Sequence, residues 1–540
     1  MAQRSTPEAL IIGAGHNGLV CACYLAAAGV RVTLLERRAV VGGAAVTEEF
    51  HPGFRNSVAS YTVSLLNPRV IADLRLAEHG LRILERPMNN LLPLPDGDAF
   101  SAPVEDDALR QEVARFSRRD AGRLGDFQRM LETVADQLRA TLLETPPGPG
   151  GGFPALLAAL RLGRRTHALS AASQRDLHEI FTRSAGEILD DWFESEPIKA
   201  LYGFDAVVGN YAGPYAPGSA YVLLHHAFGE VNGRRGVWGH AVGGMGAITQ
   251  AMAAEARDRG VTLLTEAEVS QVRVRHGRAC GVVLADGREF DADMVIANVN
   301  PRLLYLQMLD AGDLDPEFLG RIRRYRCGSG TLRMNVALSE LPRFRCLPGD
   351  DIKPGHQSGI VIAPSLDYME QSWLDARRHG WSRRPVVEMM IPSTMDDSLA
   401  PPGQHVASLF CQHFAPELPD GKGWDACAAE AAERVIDTID EYAPNFRTSI
   451  VGRMVLTPAD LERQFGLVGG DIFHGALGLD QLFSARPVLG FGAYRGPLRA
   501  LYMCGSGTHP GGGVTGAPGH NAAHEILRDL KHPGRGHLAR

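Results

Sequence analysis

Residues 9–12 are all apolar, the pattern of a strand covered on both faces rather than one. Glycines at 13, 15 and 18 follow, and then apolar residues at helical spacing as far as Ala28. A second short strand, residues 31–35, ends in Glu36. Short mixed pieces and a turn at 94–97 lead into an amphipathic helical pattern over 105–144. The Pro/Gly run 146–152 breaks it as an exposed loop, and helices resume over 154–162, 174–181 and 185–193. Glycines 243, 244 and 246 place another helix start, followed by strands over 261–264, 267–274 and 279–285. Asp286-Gly287 is a hairpin turn, and residues 290–297 predict one more buried strand, closed by Asn300-Pro301. Farther on, β-rich runs at 330–338, 385–391 and 405–414 precede a helix over 424–442. A last strand at 501–504, a glycine-rich crossing at 505–516 and a helix over 521–530 end the pattern.

The first of these segments carries chemistry. In a strand–Gly13-x-Gly15-x-x-Gly18–helix unit the first glycine permits the tight turn. The second lets backbone approach a pyrophosphate, and the third lets helix and strand pack closely. Free N–H groups at the helix start then face the phosphates. Glu36 lies 21 residues after Gly15, where a carboxylate accepts both ribose hydroxyls and repels a 2′-phosphate. The Gly42-Gly43 pair suits a loop passing close to another part of the same ligand. The second strand–glycine–helix unit at the C-terminus implies that the chain end folds back beside the first. A discontinuous nucleotide-binding domain is therefore expected from 1–70, 236–300 and 495–540. Residues 71–235 are expected to form a largely helical insertion or cap, and 301–494 a mixed-sheet substrate domain. The glycine- and Asp/His-rich stretch 466–475 is a further candidate for close ligand approach.

Composition narrows the function without choosing it. With 540 residues and 45% hydrophobic content the chain can bury a large core, and about one domain per ~150 residues suggests two to four units. A net charge of −7 and no long basic block give no support to nucleic-acid binding. The eight cysteines contain no Cys-x-x-Cys pair, so spacing indicates no redox dithiol; Cys21 and Cys23 point to different helix faces as packing residues. No run of 18 apolar residues and no signal peptide are evident, so a cytoplasmic protein is expected, with peripheral contact to a membrane left open by the apolar helices of the cap. A second GxGxxG unit with its own acidic strand end is absent, which leaves no separate nicotinamide domain.

The stretches GAGHNG, VGGAAVTEE, VGGMGAITQAMA, DLERQFGLVGGDIFHG and LYMCGSGTHPGGGVTGAPGHNAA together resemble the phytoene-desaturase-like FAD oxidoreductases, over nearly the whole chain and least distinctively at 100–200. The resemblance implies an α/β fold: a Rossmann-like FAD-binding domain of amine-oxidase-like type, a mixed α+β substrate domain, and non-covalent FAD. It assigns Gly13, Ala14, Gly15, His16, Asn17 and Gly18 to the pyrophosphate loop, and Glu36 with Arg37 to the adenosine ribose. Gly42, Gly43, Ala44 and Ala45 lie along the cofactor, and Val269 meets the adenine through its backbone. Gly505, Ser506, Gly513, Val514 and Thr515 reach the ribityl chain and flavin ring. Two positions depart from the pattern: Ala44 where relatives often carry Arg, and Gly505-Ser506 where many carry Gly-Asp. A serine hydroxyl still bonds phosphate or ribityl groups, without charge.

The implied reaction removes hydride from a lipophilic or polyene-like small substrate onto flavin N5, with oxygen or a quinone as final acceptor. Tyr211, His225, His226, His474 and His509 are the candidates to face the substrate, with no general base assigned. His520 and His524 are four apart on a helix but lack a third ligand, so no metal is expected. Flavin amine oxidation is the alternative; it typically uses a lysine near the flavin, for which Lys199, Lys353 and Lys422 are the candidates. A flavin-bound scaffold with little turnover is a third reading.

Overall fold

The computed structural model describes residues 6–149, 152–227, 229–419, 421–532 and 536–538. Five parallel strands form the nucleotide-binding sheet, in the order Thr262–Leu264, Arg31–Leu35, Glu8–Ile12, Met294–Ala297, Leu501–Met503. The apolar runs are covered on both faces, as such runs require. Ala9, Ile11 and Ile296 pack toward the helices His16–Ala27, Met245–Asp258 and Ala517–Leu530. Leu10, Ile12 and Val295, one residue out of phase, pack on an antiparallel layer of Val269–Arg275, Arg278–Leu284 and Glu289–Asp291. The period-2 side-chain alternation of a strand thus makes two hydrophobic cores from one sheet.

The second sheet has seven strands, ordered Ile450–Leu456, Thr331–Leu338, His405–Phe414, Trp381–Met390, Gly359–Ile362, Met88–Pro93, Ala99–Pro103. Leu332, Met334, Val336 and Leu338 face the covering helix Trp424–Asp440. Arg333 and Asn335 therefore face the other way, and both are buried. Over that side lie the helices from Asp106–Phe116 to Ser219–His226, whose inner residues share a core with Val361, Val386 and Phe410.

Two sequence expectations change. The segment 71–235 is largely helical from Asp106 on, but it is not a separate insertion, since Met88–Pro93 and Ala99–Pro103 pair into the second sheet and Ile83–Glu85 pairs with Gly239–Ala241. Met88–Pro93 and Ala99–Pro103 form a local hairpin, but Ile83–Glu85 and Met88–Pro93 also pair with strands more than 150 residues away, which local pattern does not record. The run 290–297 is not one strand: it splits at Ala292-Asp293, and its halves join different sheets. The loop 146–152 is described except for residues 150 and 151. No described helix is long and apolar enough to cross a membrane.

Candidate cofactor and substrate site

The glycine loop is built to leave backbone donors open. Gly15 caps the helix His16–Ala27 in extended conformation, with no side-chain cap and no acid in the first turn, so its leading N–H groups stay available. Gly13 turns at φ +94°, and a Cβ on Gly18 would lie 2.3 Å from the Gly13 carbonyl. Asn298, at the end of the adjacent strand, donates from Nδ2 to the Gly13 carbonyl at 3.0 Å and pins the loop. The second glycine loop docks on the first: Gly42 N–H donates to the Ala14 carbonyl at 2.9 Å, and Gly42 bridges Gly15. The C-terminal crossing closes the other side, where Asn17 Nδ2 donates to Ser506 Oγ at 3.1 Å.

A cavity of about 360 Å³ runs along these loops, bounded by Gly13, Gly15, Glu36, Arg38, Val269 and Asn298, among others. Glu36 accepts the Ala14 N–H at 2.8 Å and the Arg38 N–H at 3.0 Å, which aims its carboxylate and leaves lone pairs over for hydroxyl donors. Four buried polar atoms of residues lining the cavity have no protein partner: His16 Nε2, Asn17 Oδ1, Arg38 Nη1 and His474 Nδ1. Each such atom costs about 1–3 kcal/mol if left unpaired, so a ligand carrying phosphate, hydroxyl and ring-nitrogen groups fits this donor and acceptor set. Burial pushes the His16 imidazole down to about 3, reinforced by nearby His474. Burial and then Arg486 push His474 down to about 4. Both rings are neutral at neutral pH.

His16, Ala44, Leu467, His474 and Ser506 also border a second cavity of about 130 Å³. Its walls are mainly apolar and aromatic: Leu65, Phe204, Trp238, Phe410, Ile472 and Phe473. One polar wall interrupts them. The Tyr61 hydroxyl donates a short hydrogen bond to Glu388 Oε2. Beneath it Arg333 lies 4.4 Å from the Tyr61 ring centroid and donates to the Leu409 carbonyl and Ser408 Oγ, both at 2.7 Å. Burial raises Glu388, opposed by Arg86, Tyr61 and Arg333. Burial and then Glu388 raise Asp205, on the same wall, to about 8.

Residues 18–332 of the chain match the family described as flavin containing amine oxidoreductase. The chain belongs to that family. It is 41% identical to pyridine nucleotide-disulfide oxidoreductase domain-containing protein 2 of Rattus norvegicus, over 97% of this chain and 94% of the relative. It is 25% identical to the phytoene desaturase (lycopene-forming) of a Paracoccus species, over 97% of each chain. Among solved structures, cyclohexylamine oxidase from Brevibacterium oxydans shares the fold, with a TM-score of 0.59 at 16% identity over 98% of this chain and all of that one. The protein is thus a member of a flavin-dependent oxidoreductase family with the amine-oxidase-like α/β fold.

Within that family fold the residues singled out from the sequence separate into layers. Gly13, Gly15, His16, Asn17, Glu36, Arg37, Gly43, Ala44, Val269 and Ser506 line the larger cavity, and Gly513 and Val514 line the smaller one. Ala14, Gly18, Gly42, Ala45 and Gly505 stand behind the surface: a Cβ on Gly42 would be 2.7 Å from the Ala45 carbonyl, and one on Gly505 3.1 Å from Asn298 Oδ1. Thr515 lines neither cavity; its hydroxyl accepts the Ala517 N–H at the start of the last helix. Of the substrate-side candidates, His474 borders both cavities and His226 the smaller one. His225 sits one layer back, edge-on to Phe473. Tyr211 packs under Gly330, and His509 Nε2 bonds the Thr141 carbonyl; neither lines either of these two cavities.

Asn298, Tyr61, Glu388 and Asp205 escaped the sequence reading, since each is an isolated polar residue whose neighbours arrive from distant segments. Near the 466–475 stretch, Gly466 and Leu467 line the nucleotide cavity, whereas Asp471 turns inward to accept the Gly328 and Phe473 N–H groups. Cys21 and Cys504 come into contact although 483 residues apart, but both are fully buried and burial raises the Cys21 thiol, so the pair is shielded from solvent chemistry. His520 and His524 stack at 4.1 Å. Among the described residues His79, Glu255 and Asp258 cluster closely, but Arg75 and Arg259 already neutralise Glu255.

Proposed function

We propose that the protein is an FAD-dependent oxidoreductase of dehydrogenase, desaturase or oxidase type, acting on a largely apolar substrate with oxygen or a quinone as the final acceptor. The observation that carries this reading is the continuity of the two cavities through His16, Ala44, Leu467, His474 and Ser506. A polar trough with unpaired buried groups opens into an apolar chamber. FAD, when bound, would supply the hydride acceptor.

The chain's own residues do the rest. Glu36 holds the ribose hydroxyls, and the N–H groups opening the helix His16–Ala27 hold the pyrophosphate. Neutral His16 and His474 offer their unpaired ring nitrogens to a ligand without adding charge. Leu65, Phe410 and Phe473 exclude water and orient the reacting segment, and a chamber of about 130 Å³ admits a compact portion of the substrate at a time. The similarity to a phytoene desaturase supports an apolar substrate.

One observation favours amine oxidation as a second reading: the Glu388 and Asp205 carboxyl groups on the chamber wall offer hydrogen bonds to an amine. Against it, no lysine lines either cavity; Lys199 pairs with Asp190 and Glu196, and the Lys353 ammonium bonds the Pro348 carbonyl.

The test is anaerobic titration of the FAD-loaded protein with fractionated lipid extracts and, separately, an amine panel. Bleaching by apolar fractions, with all yellow colour released on acid precipitation, is the expected result. Peroxide formation with amines alone moves the assignment to the second reading. A protein that takes up no FAD overturns both, and one that binds FAD but is bleached by nothing and reoxidised by neither oxygen nor quinones is a scaffold.

A further inference from the structure

The helix Gly152–His167 is built inside out. Phe153, Leu156, Leu157 and Leu160 are 69, 55, 42 and 55% exposed. At helical spacing these four fall within a sector of about 100°, an apolar stripe, while Leu162, 40% exposed, lies off it. Ala155, Ala158, Arg165 and Thr166 project from the opposite side and are half-buried, so that side rests on the protein. A surface helix normally buries its apolar stripe and presents its polar one. Here small and polar residues are used for docking, and the apolar stripe points to solvent. Nothing in the core requires this arrangement, since no described residue of the helix is buried.

The charge around the stripe says what covers it. Arg161 and Arg164 continue the same face by one more turn, are exposed, and have no carboxylate partner among the described residues. Long arginine stems can lie along an apolar surface while the guanidinium reaches phosphate groups. An apolar stripe flanked by basic residues, lying flat on a compact body, matches the interface of a bilayer with anionic headgroups. The chain as a whole carries −7, so attraction to an anionic surface has to be local, and here it is.

We propose that the helix Gly152–His167 is a monotopic membrane-docking element that lays Phe153, Leu156, Leu157 and Leu160 into the headgroup–acyl boundary of an anionic bilayer, with Arg161 and Arg164 on lipid phosphates. The inference stands independently of the reaction catalysed.

The test is flotation of the full-length protein with phosphatidylcholine vesicles containing or lacking 30% (roughly) phosphatidylserine, at low and high salt. Binding to the anionic vesicles, weakened by salt, is expected. The pair Leu156→Glu with Leu160→Glu abolishes it, and Arg161→Glu with Arg164→Glu weakens it by roughly ten- to a hundredfold. These side chains are exposed, so thermal melting should be unchanged in both variants, and this identifies any variant whose fold is lost. Equal binding to neutral vesicles, no binding, or unaltered binding by folded Leu156/Leu160 variants overturns the proposal. So does a concentration-dependent dimer in the absence of vesicles that the same leucine substitutions dissolve, which assigns the stripe to a second copy.

Discussion

Asn17 and Ser506 are 489 residues apart and share a hydrogen bond, the Asn17 amide donating to Ser506 Oγ at 3.1 Å. The contact joins the first glycine loop to the last, above the shared border of the two cavities. Through it the sequence end becomes part of the site formed by the sequence beginning.

Breaking that link should loosen the cofactor without unfolding the protein. For Ser506→Ala the loss is one buried hydrogen bond, about 1 kcal/mol. FAD affinity should therefore fall roughly five- to tenfold, read from quenching of flavin fluorescence on titration. Asn17→Asp should be worse than Asn17→Ala, because it sets a carboxylate beside the phosphates. An Asp variant that binds FAD as tightly as the Ala variant would remove Asn17 from the phosphate environment.

Close packing of helices predicts a glycine effect the motif does not announce. A Cβ on Gly519 would lie 2.2 Å from the Asn17 carbonyl, where the last helix crosses the first. Gly519→Ala should cost about 1–3 kcal/mol through displaced backbone, with weaker FAD binding alongside a lower Tm. Gly122, also helical, has nothing within 4 Å of its would-be Cβ. Gly122→Ala should be neutral or gain up to about 1 kcal/mol from helix propensity. Calorimetry of the two variants compares them directly.

Asp396 ties its own loop to the segment His240–Gly243 and gives a pH dependence. It accepts from Gly243 N–H at 2.7 Å, His240 Nε2 at 2.9 Å and Ser398 Oγ at 2.6 Å. Burial alone would raise its pKa; the hydrogen bonds from His240, Ser398 and Gly243 outweigh it and hold the carboxyl well below the usual range. A depressed folded value stabilises the fold above the unfolded carboxyl pKa of about 3.9 and loses that contribution as pH falls below it. Asp396→Asn should lower stability at pH 7 by about 3 kcal/mol and flatten the acid limb of the unfolding curve below about pH 4. Urea titrations between pH 3 and 7 (approximately) measure both.

The buried histidines act on a different window. His474 ionises near 4 in the fold against an ordinary 6.5, because burial and then Arg486 disfavour its charged form. The fold gains stability from the neutral ring above about pH 6.5 and loses it as pH drops toward about 4. His474→Asn should make the fall in Tm of the cofactor-free protein over that window shallower. Asparagine suits the position, since His474 has φ +59° and asparagine tolerates that region better than most residues. An unchanged slope would mean that His474 is charged or solvated in solution.

The sequence by itself determined the parts of this protein whose physics is local. A four-residue apolar run, a turn that only glycine makes at Gly13, a helix start without a capping side chain and a carboxylate at the next strand end are contiguous in the chain, so pattern sufficed for the nucleotide motif. The same holds for the strands His405–Phe414 and Thr331–Leu338, long enough to show their character. What lines the smaller cavity was decided by tertiary structure. Tyr61, Asp205 and Glu388 come from three separate segments, and none has a local signature. The five candidates Tyr211, His225, His226, His474 and His509 were chemically equivalent as sequence; only packing put His474 and His226 on a cavity wall and Tyr211 and His509 behind others. Strands such as Met88–Pro93 gain their structure from partners far along the chain, and the Asn17–Ser506 link exists because a parallel sheet lets its last strand lie beside a much earlier one. Burial and long-range pairing are properties of the packed whole, and a local pattern records them only where a single element must bury a face of its own.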